Sequence, residues 1–205
     1  NVMRRLFPKA TFLHCDYNPS FMGQAPEPIH KNLGEFSTLI KNAAGKLHIG
    51  IATDGDADRI GMYDEKGNFV DSHHIILLLV HYLHKYKGMT GKVVNAFSVS
   101  GKVRDLCAHY GLPYQVTKIG FKYICEIMKE AHEDVLLGGE ESGGIATKGH
   151  IPERDGIWMG LHIMEFMAKT GKTVSELIAE VYAIVGSFSY NRNDLHLSNS
   201  LKWAI

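Results

Sequence analysis

The sequence has few cysteines and no excess of charge of either sign. Its three cysteines, Cys15, Cys107 and Cys125, are odd in number and widely spaced. This pattern argues against a disulfide framework or a zinc site and predicts reduced core thiols in a cytoplasmic protein. The 22 lysines and arginines are balanced by 22 aspartates and glutamates. Because there is no basic stripe, we expect no nucleic-acid partner.

Long hydrophobic runs are also missing from the sequence. The longest run, Ile75–Val80, is far too short to span a bilayer, so we expect no membrane partner. The N-terminal residues do not have the pattern of a secretory signal. The sequence contains no HExxH spacing and no GxxxxGK[ST] motif. Two common sites, that of zinc peptidases and that of P-loop proteins, are therefore excluded on pattern.

Short apolar segments alternate with amphipathic segments along the chain, which predicts an α/β fold. Residues 87–91 contain two glycines and form the best candidate linker, because the order of strand and helix restarts after them. We therefore predict two successive α/β units, residues 1–88 and 89–205. Each unit is expected to be a mixed sheet flanked by helices.

Three carboxylates follow a predicted buried strand. Asp54, Asp56 and Asp58 alternate with small residues after the apolar segment 47–52. Residues two apart in an extended segment point to the same side, so three negative charges would be crowded together. A hard divalent cation such as Mg²⁺ would neutralise them. Arg59, next in the chain, could pair with a phosphate or hold an aspartate in place.

Other kinds of site also contain alternating aspartates. The three aspartates and Glu65 fall at positions 1, 3, 5 and 12 of an EF-hand loop, but Arg59 stands where that loop needs glycine. An aspartyl phosphatase has a DxDx[TV] motif, and Ile60 does not fit its last position. Three solvated aspartates in a turn are the plainest alternative, because turns favour aspartate.

A glycine-rich segment, residues 138–144, follows another predicted strand. Glycines such as Gly139 and Gly143 let the backbone and short side chains come close to a ligand. A carboxylate accepts hydrogen bonds and a hydroxyl both donates and accepts, so Glu140 and Ser142 suit the hydroxyl groups of a sugar. A flexible turn without any ligand has a similar composition and stays open as the alternative.

Lys118 lies in a loop between a predicted strand and a predicted helix. A lysine in such a loop could transfer a proton, and the N-terminus of the helix beside it could bind an anion. An ordinary surface lysine would give the same pattern.

Taken together, these motifs resemble the α-D-phosphohexomutase family, the phosphoglucomutases and phosphomannomutases. The family's metal loop, DGDADR, is matched by residues 54–59, and its GExSG sugar-specificity loop by residues 139–143. A TKxGFKYI-like segment is matched by residues 117–124. The turn Ala25–Pro28 and the helix start Arg154–Ile157 are also similar to family features. The motifs occur in the expected order, and the resemblance covers nearly the whole chain.

The resemblance implies an enzyme of four domains, of which this chain matches most of domain 2 and all of domain 3. Such enzymes interconvert hexose 1-phosphates and 6-phosphates by way of a phosphoserine and a hexose 1,6-bisphosphate. By resemblance, Asp54, Asp56 and Asp58 would hold Mg²⁺. Lys118 would transfer a proton and Arg59 would orient a phosphoryl group or an aspartate. The residues expected to bind the sugar are Gly139, Glu140, Ser142 and Gly143.

The sequence departs from the family pattern in three respects. It contains neither the TASHNP-like segment of domain 1 nor the RPSGTEP-like loop of domain 4. We therefore expect those two domains as partners and expect this chain alone to be inactive. Many family members have histidine where this chain has Gly144, and the phosphoglucomutase branches commonly lack it. This favours a glucose phosphate, with mannose or glucosamine phosphate left open. The alternative function is a non-catalytic module that binds a metal or a sugar phosphate.

Overall fold

The computed structural model describes residues 2–46, 48–130 and 132–191; the end of the predicted second unit, residues 192–205, lies outside the described residues. The helices are α1 (Val2–Leu6), α2 (Gly34–Asn42), α3 (Ser72–His81), α4 (Gly101–Tyr110), α5 (Phe121–Lys129), α6 (Gly156–Thr170) and α7 (Val174–Val185). The strands are β1 (Gly50–Thr53), β2 (Ile60–Tyr63), β3 (Phe69–Val70), β4 (Lys92–Ala96), β5 (Tyr114–Thr117), β6 (Val135–Gly139) and β7 (Ile145–Thr147). One π-helical turn, Tyr82–Tyr86, continues α3.

The first sheet has the order β1-β2-β3, and its neighbouring strands are antiparallel. Strands β1 and β2 pair from Gly50 opposite Tyr63 to Thr53 opposite Ile60. Because Thr53 and Ile60 are direct partners, residues 54–59 form the loop of a β-hairpin. The pairing therefore holds both ends of the acidic segment in place.

The second sheet has the order β5-β4-β6-β7 and is mixed. Strand β4 lies parallel to β5 and β6, and β7 returns antiparallel to β6. The carboxyl ends of parallel strands meet at one edge of a sheet. The loops that follow β5 and β6, residues 118–120 and 140–144, therefore begin at the same edge.

Helix α3 lies at the centre of the molecule. Every residue of this helix except His74 is buried, which is typical of a helix that is enclosed on all sides. It packs against strands β2 and β6 and against helices α4, α6 and α7. The larger of two hydrophobic core clusters extends from Ile60 in the first sheet to Val185 in α7. The two sheets therefore share a core through α3, and the predicted boundary near residue 88 stays a prediction.

Side-chain caps fix where three helices begin. The carboxylate of Asp71 accepts a hydrogen bond from the backbone N–H of His74 over 3.1 Å at the start of α3. Asp155 does the same for Trp158 over 2.8 Å at the start of α6. At α7, the side chains of Thr173 and Glu176 form a full capping box. These caps satisfy backbone N–H groups in the first turn of each helix.

The predicted α/β fold, with two sheets flanked by helices, is confirmed. The expectation of a mixed sheet holds for the second sheet but is wrong for the first, because its three strands follow one another through short turns and pair antiparallel. The three cysteines are free; Cys107 and Cys125 are buried, whereas Cys15 is exposed. The expectation of a core thiol is wrong for Cys15, because the segment around it is irregular and contributes no residue to the hydrophobic core. None of the described helices is both long enough and apolar enough to cross a membrane.

Candidate functional site

The acidic hairpin loop brings its three carboxylates together. One potential ligand atom from each of Asp54, Asp56 and Asp58 lies within 4.8 Å of the others. The loop is a turn rather than the extended segment expected from the sequence. Ala57 has a left-handed backbone with φ of 63°, and its N–H donates to the carbonyl of Asp54 over 3.3 Å. The convergence therefore comes from a tight turn and not from alternation along a strand.

Arg59 neutralises the most buried of these carboxylates. Its backbone N–H donates to Oδ1 of Asp54 over 3.1 Å and its Nε donates to Oδ2 over 2.5 Å. Burial alone would raise the pKa of Asp54, but these hydrogen bonds outweigh burial and bring the pKa below its ordinary value. Asp54 is therefore ionised and fixed in orientation.

Asp58 has the opposite electrostatic environment. Burial, together with the nearby Asp54, raises the pKa of Asp58 to about 6, although the positive charge of Arg154 opposes this rise. Asp56 is exposed to solvent. Three oxygen donors with their charge only partly compensated fit a hard divalent cation such as Mg²⁺.

The glycine-rich segment begins inside strand β6, because Gly139 pairs with Ile145 of β7. Glu140 then turns inward and is 6% exposed. Its Oε1 accepts a hydrogen bond from the backbone N–H of Gly120 over 2.8 Å, which links it to the loop after β5. Burial raises the pKa of Glu140, and the Gly120 hydrogen bond limits that rise. Ser142 is half-buried in the same turn.

Backbone hydrogen bonds join the acidic loop to the glycine-rich segment. The N–H of Ile60 donates to the carbonyl of Gly143 over 3.1 Å, and Arg59 and Gly144 form an antiparallel bridge. The N–H of Gly156, at the start of α6, donates to the carbonyl of Ala57 over 2.9 Å. The predicted metal ligands and the predicted sugar-binding residues therefore lie on one connected framework.

Lys118 belongs to the loop that follows β5 and not to the acidic loop. It is exposed, and its ammonium group is 5.9 Å from the centre of the Tyr123 ring. In the described part of the chain no hydrogen bond or ion pair joins Lys118 to the three aspartates. Its position is nevertheless on the loop that Glu140 holds through Gly120. Its role as a proton-transfer group stays a prediction.

Two charged residues that the sequence pattern did not indicate, Arg154 and Glu27, lie at the site. A terminal nitrogen of Arg154 lies 2.6 Å from Oδ2 of Asp58. Oε1 of Glu27 lies 3.7 Å from Nη1 of Arg59. Both residues belong to segments that resemble family motifs, namely Ala25–Pro28 and Arg154–Ile157. Their place in those motifs was a signal, but nothing in their spacing indicated which side chains they would contact.

Two family models match the chain. Residues 1–67 match domain II, and residues 71–185 match domain III, of the phosphoglucomutase/phosphomannomutase family, each described as an alpha/beta/alpha domain. Phosphoglucosamine mutases from Rubrobacter xylanophilus and Methanococcus maripaludis are 37% and 34% identical to it over 166 and 170 residues. These alignments cover 78% and 82% of this chain but only 36% and 37% of the relatives. The chain thus spans little more than a third of their length.

Two solved structures have a similar fold. One, from Thermus thermophilus and provisionally described as a phosphomannomutase, has 38% sequence identity and a TM-score of 0.75. The match covers 82% of this chain and 38% of the Thermus thermophilus chain. The other is parafusin, a phosphoglucomutase from Paramecium in an open form, with 25% identity and a TM-score of 0.77. The match between the two covers 90% of this chain and 35% of the parafusin chain.

Proposed function

The chain belongs to the phosphoglucomutase/phosphomannomutase family, and we propose that it forms the metal- and sugar-binding part of a Mg²⁺-dependent phosphohexomutase. The complete enzyme would interconvert a hexose 1-phosphate and a hexose 6-phosphate, with a hexose 1,6-bisphosphate as intermediate. The reaction needs a phosphoserine, and the TASHNP-like serine motif does not occur among these residues. A domain outside them would therefore supply the serine.

Asp54, Asp56 and Asp58 are the proposed Mg²⁺ ligands. Their converging oxygens support this role, because Mg²⁺ prefers carboxylate ligands. When bound there, the ion would stabilise the charge that develops on a phosphoryl group during transfer. Arg59 keeps Asp54 ionised and oriented through its two hydrogen bonds. Its guanidinium group would also orient the phosphoryl group.

The sugar is proposed to bind along the turn after β6. Glu140 is held rigidly by Gly120 through one carboxylate oxygen, which leaves the other oxygen to accept a hydrogen bond from a sugar hydroxyl. The hydroxyl of Ser142 can donate or accept in the same turn. Lys118, on the adjoining loop, would exchange the proton of the reacting hydroxyl. These three side chains could serve either orientation of the sugar, as two successive transfers require.

The identity of the hexose is part of the proposal. Gly144, at a position where many family members have histidine, favours a glucose phosphate. The curated relatives reported above are phosphoglucosamine mutases, which makes glucosamine phosphate the next candidate, with mannose phosphate after it. Comparing the binding of the three 6-phosphates to this chain in the presence of Mg²⁺ would rank them directly.

The convergence of three carboxylates in one hairpin loop carries the proposal. The test is a calorimetric titration of the chain with MgCl₂, comparing the wild type with the double variant Asp56→Asn and Asp58→Asn. We expect the double variant to lose measurable Mg²⁺ binding. A matched double variant at exposed positions, Asp105→Asn and Asp134→Asn, should bind like the wild type. Equal binding by all three proteins would contradict the assignment.

A non-catalytic module that binds a metal or a sugar phosphate is the second candidate function. The observation that favours it is the convergence of the three aspartates, because such a cluster suits the binding of a cation whether or not transfer chemistry follows. An assay for mutase activity with the chain alone, and then with domains 1 and 4 supplied, separates the two candidates. Activity that appears only on addition supports the mutase, whereas metal binding with no activity in either case supports the module.

A further inference from the structure

Arg154 reaches the acidic loop from a different part of the chain. It lies just before the N-cap of α6, and its terminal nitrogen is 2.6 Å from Oδ2 of Asp58. Two other side chains direct it there. Its guanidinium carbon lies 5.4 Å from the centre of the Phe121 ring, and its Nε lies 3.4 Å from Oε1 of Glu153. The arginine therefore contacts Asp58, Phe121 and Glu153 at the same time.

Gly144 leaves the space through which the stem of Arg154 passes. A Cβ atom built on Gly144 would lie 2.4 Å from Cδ of Arg154 and 3.2 Å from its Cγ. The three nearest heavy atoms to that Cβ all belong to Arg154. The first of these distances is far below any ordinary contact, so a side chain at position 144 would displace the arginine.

The backbone itself does not require glycine at position 144. The neighbouring Gly143 has a φ of 95°, which L-residues rarely adopt, but Gly144 lies outside the left-handed region. The need for glycine at position 144 therefore comes from Arg154 and not from the turn. This separates the two adjacent glycines into different roles.

We infer that Gly144 and Arg154 are a matched pair: Gly144 admits the arginine, and Arg154 is a positioning residue that orients Asp58 for a divalent cation. Oδ2 of Asp58 is held by Arg154, and Oδ1, which lies 3.8 Å from Nε of Arg59, is the oxygen offered to the cation. Residues that hold a metal ligand in place commonly contribute a factor of about 10 to 100 to metal affinity. The inference rests on the proposed function, because it assumes a cation at the three aspartates.

The test is a double-mutant cycle read out by Mn²⁺ binding, measured by electron paramagnetic resonance with the full chain. We expect Arg154→Ala to weaken Mn²⁺ binding about tenfold. Gly144→Ala should weaken it less, because the flexible arginine can shift in part. In the Arg154→Ala background, the Gly144→Ala change should have no further effect, since the two residues act as a unit. Arg154→Lys should recover part of the affinity.

Matched controls are available elsewhere in the chain. Arg104→Ala removes an exposed arginine that pairs only with the neighbouring Asp105 among the described salt bridges. Gly34→Ala adds a Cβ at a glycine with nothing within 4 Å and a backbone outside the left-handed region. Both controls should bind Mn²⁺ like the wild type. Circular dichroism on every variant confirms that the fold is kept.

The outcomes distinguish this inference from the proposed function. If the wild-type chain binds no Mn²⁺, the proposed function fails and this inference fails with it. If the wild type binds Mn²⁺ and Arg154→Ala binds equally well, only this inference is overturned. Tighter binding by Arg154→Ala also overturns it, because Arg154 would then be a competing cation. Additive effects of the two substitutions would exclude a matched pair.

Discussion

The backbone N–H of Ile60 donates a hydrogen bond to the carbonyl of Gly143 over 3.1 Å, and this contact fastens the acidic hairpin to the glycine-rich turn. It joins the first sheet to the second at the point where their functional loops meet. A change that separates these two backbones should affect the stability of the whole chain, because the sheets also share one core.

Gly143→Ala tests how strongly this junction depends on close backbone approach. A Cβ at Gly143 would lie 2.5 Å from the carbonyl oxygen of Ile60, and the φ of 95° is unfavourable for alanine. We expect a loss of about 2 kcal/mol in the free energy of unfolding. For a chain of this size, this loss lowers the midpoint of thermal unfolding, measured by calorimetry, by about 4–8 °C.

Gly149→Ala is the matched control for this prediction. Gly149 also has a positive φ, 87°, but nothing lies within 4 Å of the added Cβ. Gly149→Ala should lower the free energy of unfolding by about 1 kcal/mol, because it adds only the strain of alanine at a positive φ. If both variants unfold at the same temperature, the junction contributes nothing beyond the cost of a positive φ.

Features encoded over a few residues could be predicted from the sequence. The caps Asp71 and Thr173 act on N–H groups three residues away, so their signals lie within one helical turn. The acidic segment 54–59 was also identified, because three carboxylates so close together need compensation in any fold. Its turn was not identified, since the left-handed backbone of Ala57 leaves no mark in the residue pattern.

Contacts between distant segments could not be predicted. Arg154 and Asp58 are far apart in sequence, and their ion pair depends on how α6 docks beside the hairpin. The hydrogen bond from Gly120 to Glu140 likewise depends on the register of β5 and β6 around β4. Periodicity gives the type of each element, whereas its neighbours are fixed by packing of the shared core. The site was therefore predicted as separate motifs and not as one framework.

Glu140→Gln separates the structural contact of Glu140 from its proposed contact with sugar. The glutamine amide oxygen can still accept the hydrogen bond from Gly120, so we expect the unfolding midpoint to change little. The loss of the negative charge should weaken the binding of a hexose 6-phosphate about tenfold, since hydrogen bonds to charged groups are the stronger ones. Calorimetric titration with the hexose 6-phosphate in the presence of Mg²⁺ measures this affinity.

The control for Glu140→Gln is Asp105→Asn, which removes a carboxylate from the exposed face of α4. It should bind the sugar phosphate like the wild type. If Glu140→Gln lowers the unfolding midpoint as much as Glu140→Ala and leaves sugar affinity unchanged, Glu140 has only a structural role.

The environment of Glu180 on α7 indicates how the stability of the fold changes in acid. Its carboxylate accepts hydrogen bonds from Lys85 over 2.5 Å, Tyr86 over 2.6 Å and Lys172 over 2.6 Å, and contacts the buried His81 over 3.0 Å. Burial alone would raise the pKa of Glu180, but these donors outweigh it and hold the pKa well below its ordinary value. The folded state therefore favours the ionised carboxylate.

Glu180→Gln should lower the free energy of unfolding by about 2 kcal/mol at pH 7, because it removes charge-assisted hydrogen bonds. A depressed pKa stabilises the fold above the unfolded-state pKa, near the ordinary 4.5 for this residue, and the contribution is lost as the pH falls further. The difference in the free energy of unfolding between the wild type and Glu180→Gln should be constant from pH 8 to about 5 and become smaller below about 4.5. Glu165→Gln, on the more exposed face of α6, should cost less than about 1 kcal/mol. A difference between wild type and Glu180→Gln that stays constant down to pH 3 would show that the charge of Glu180 does not stabilise the fold.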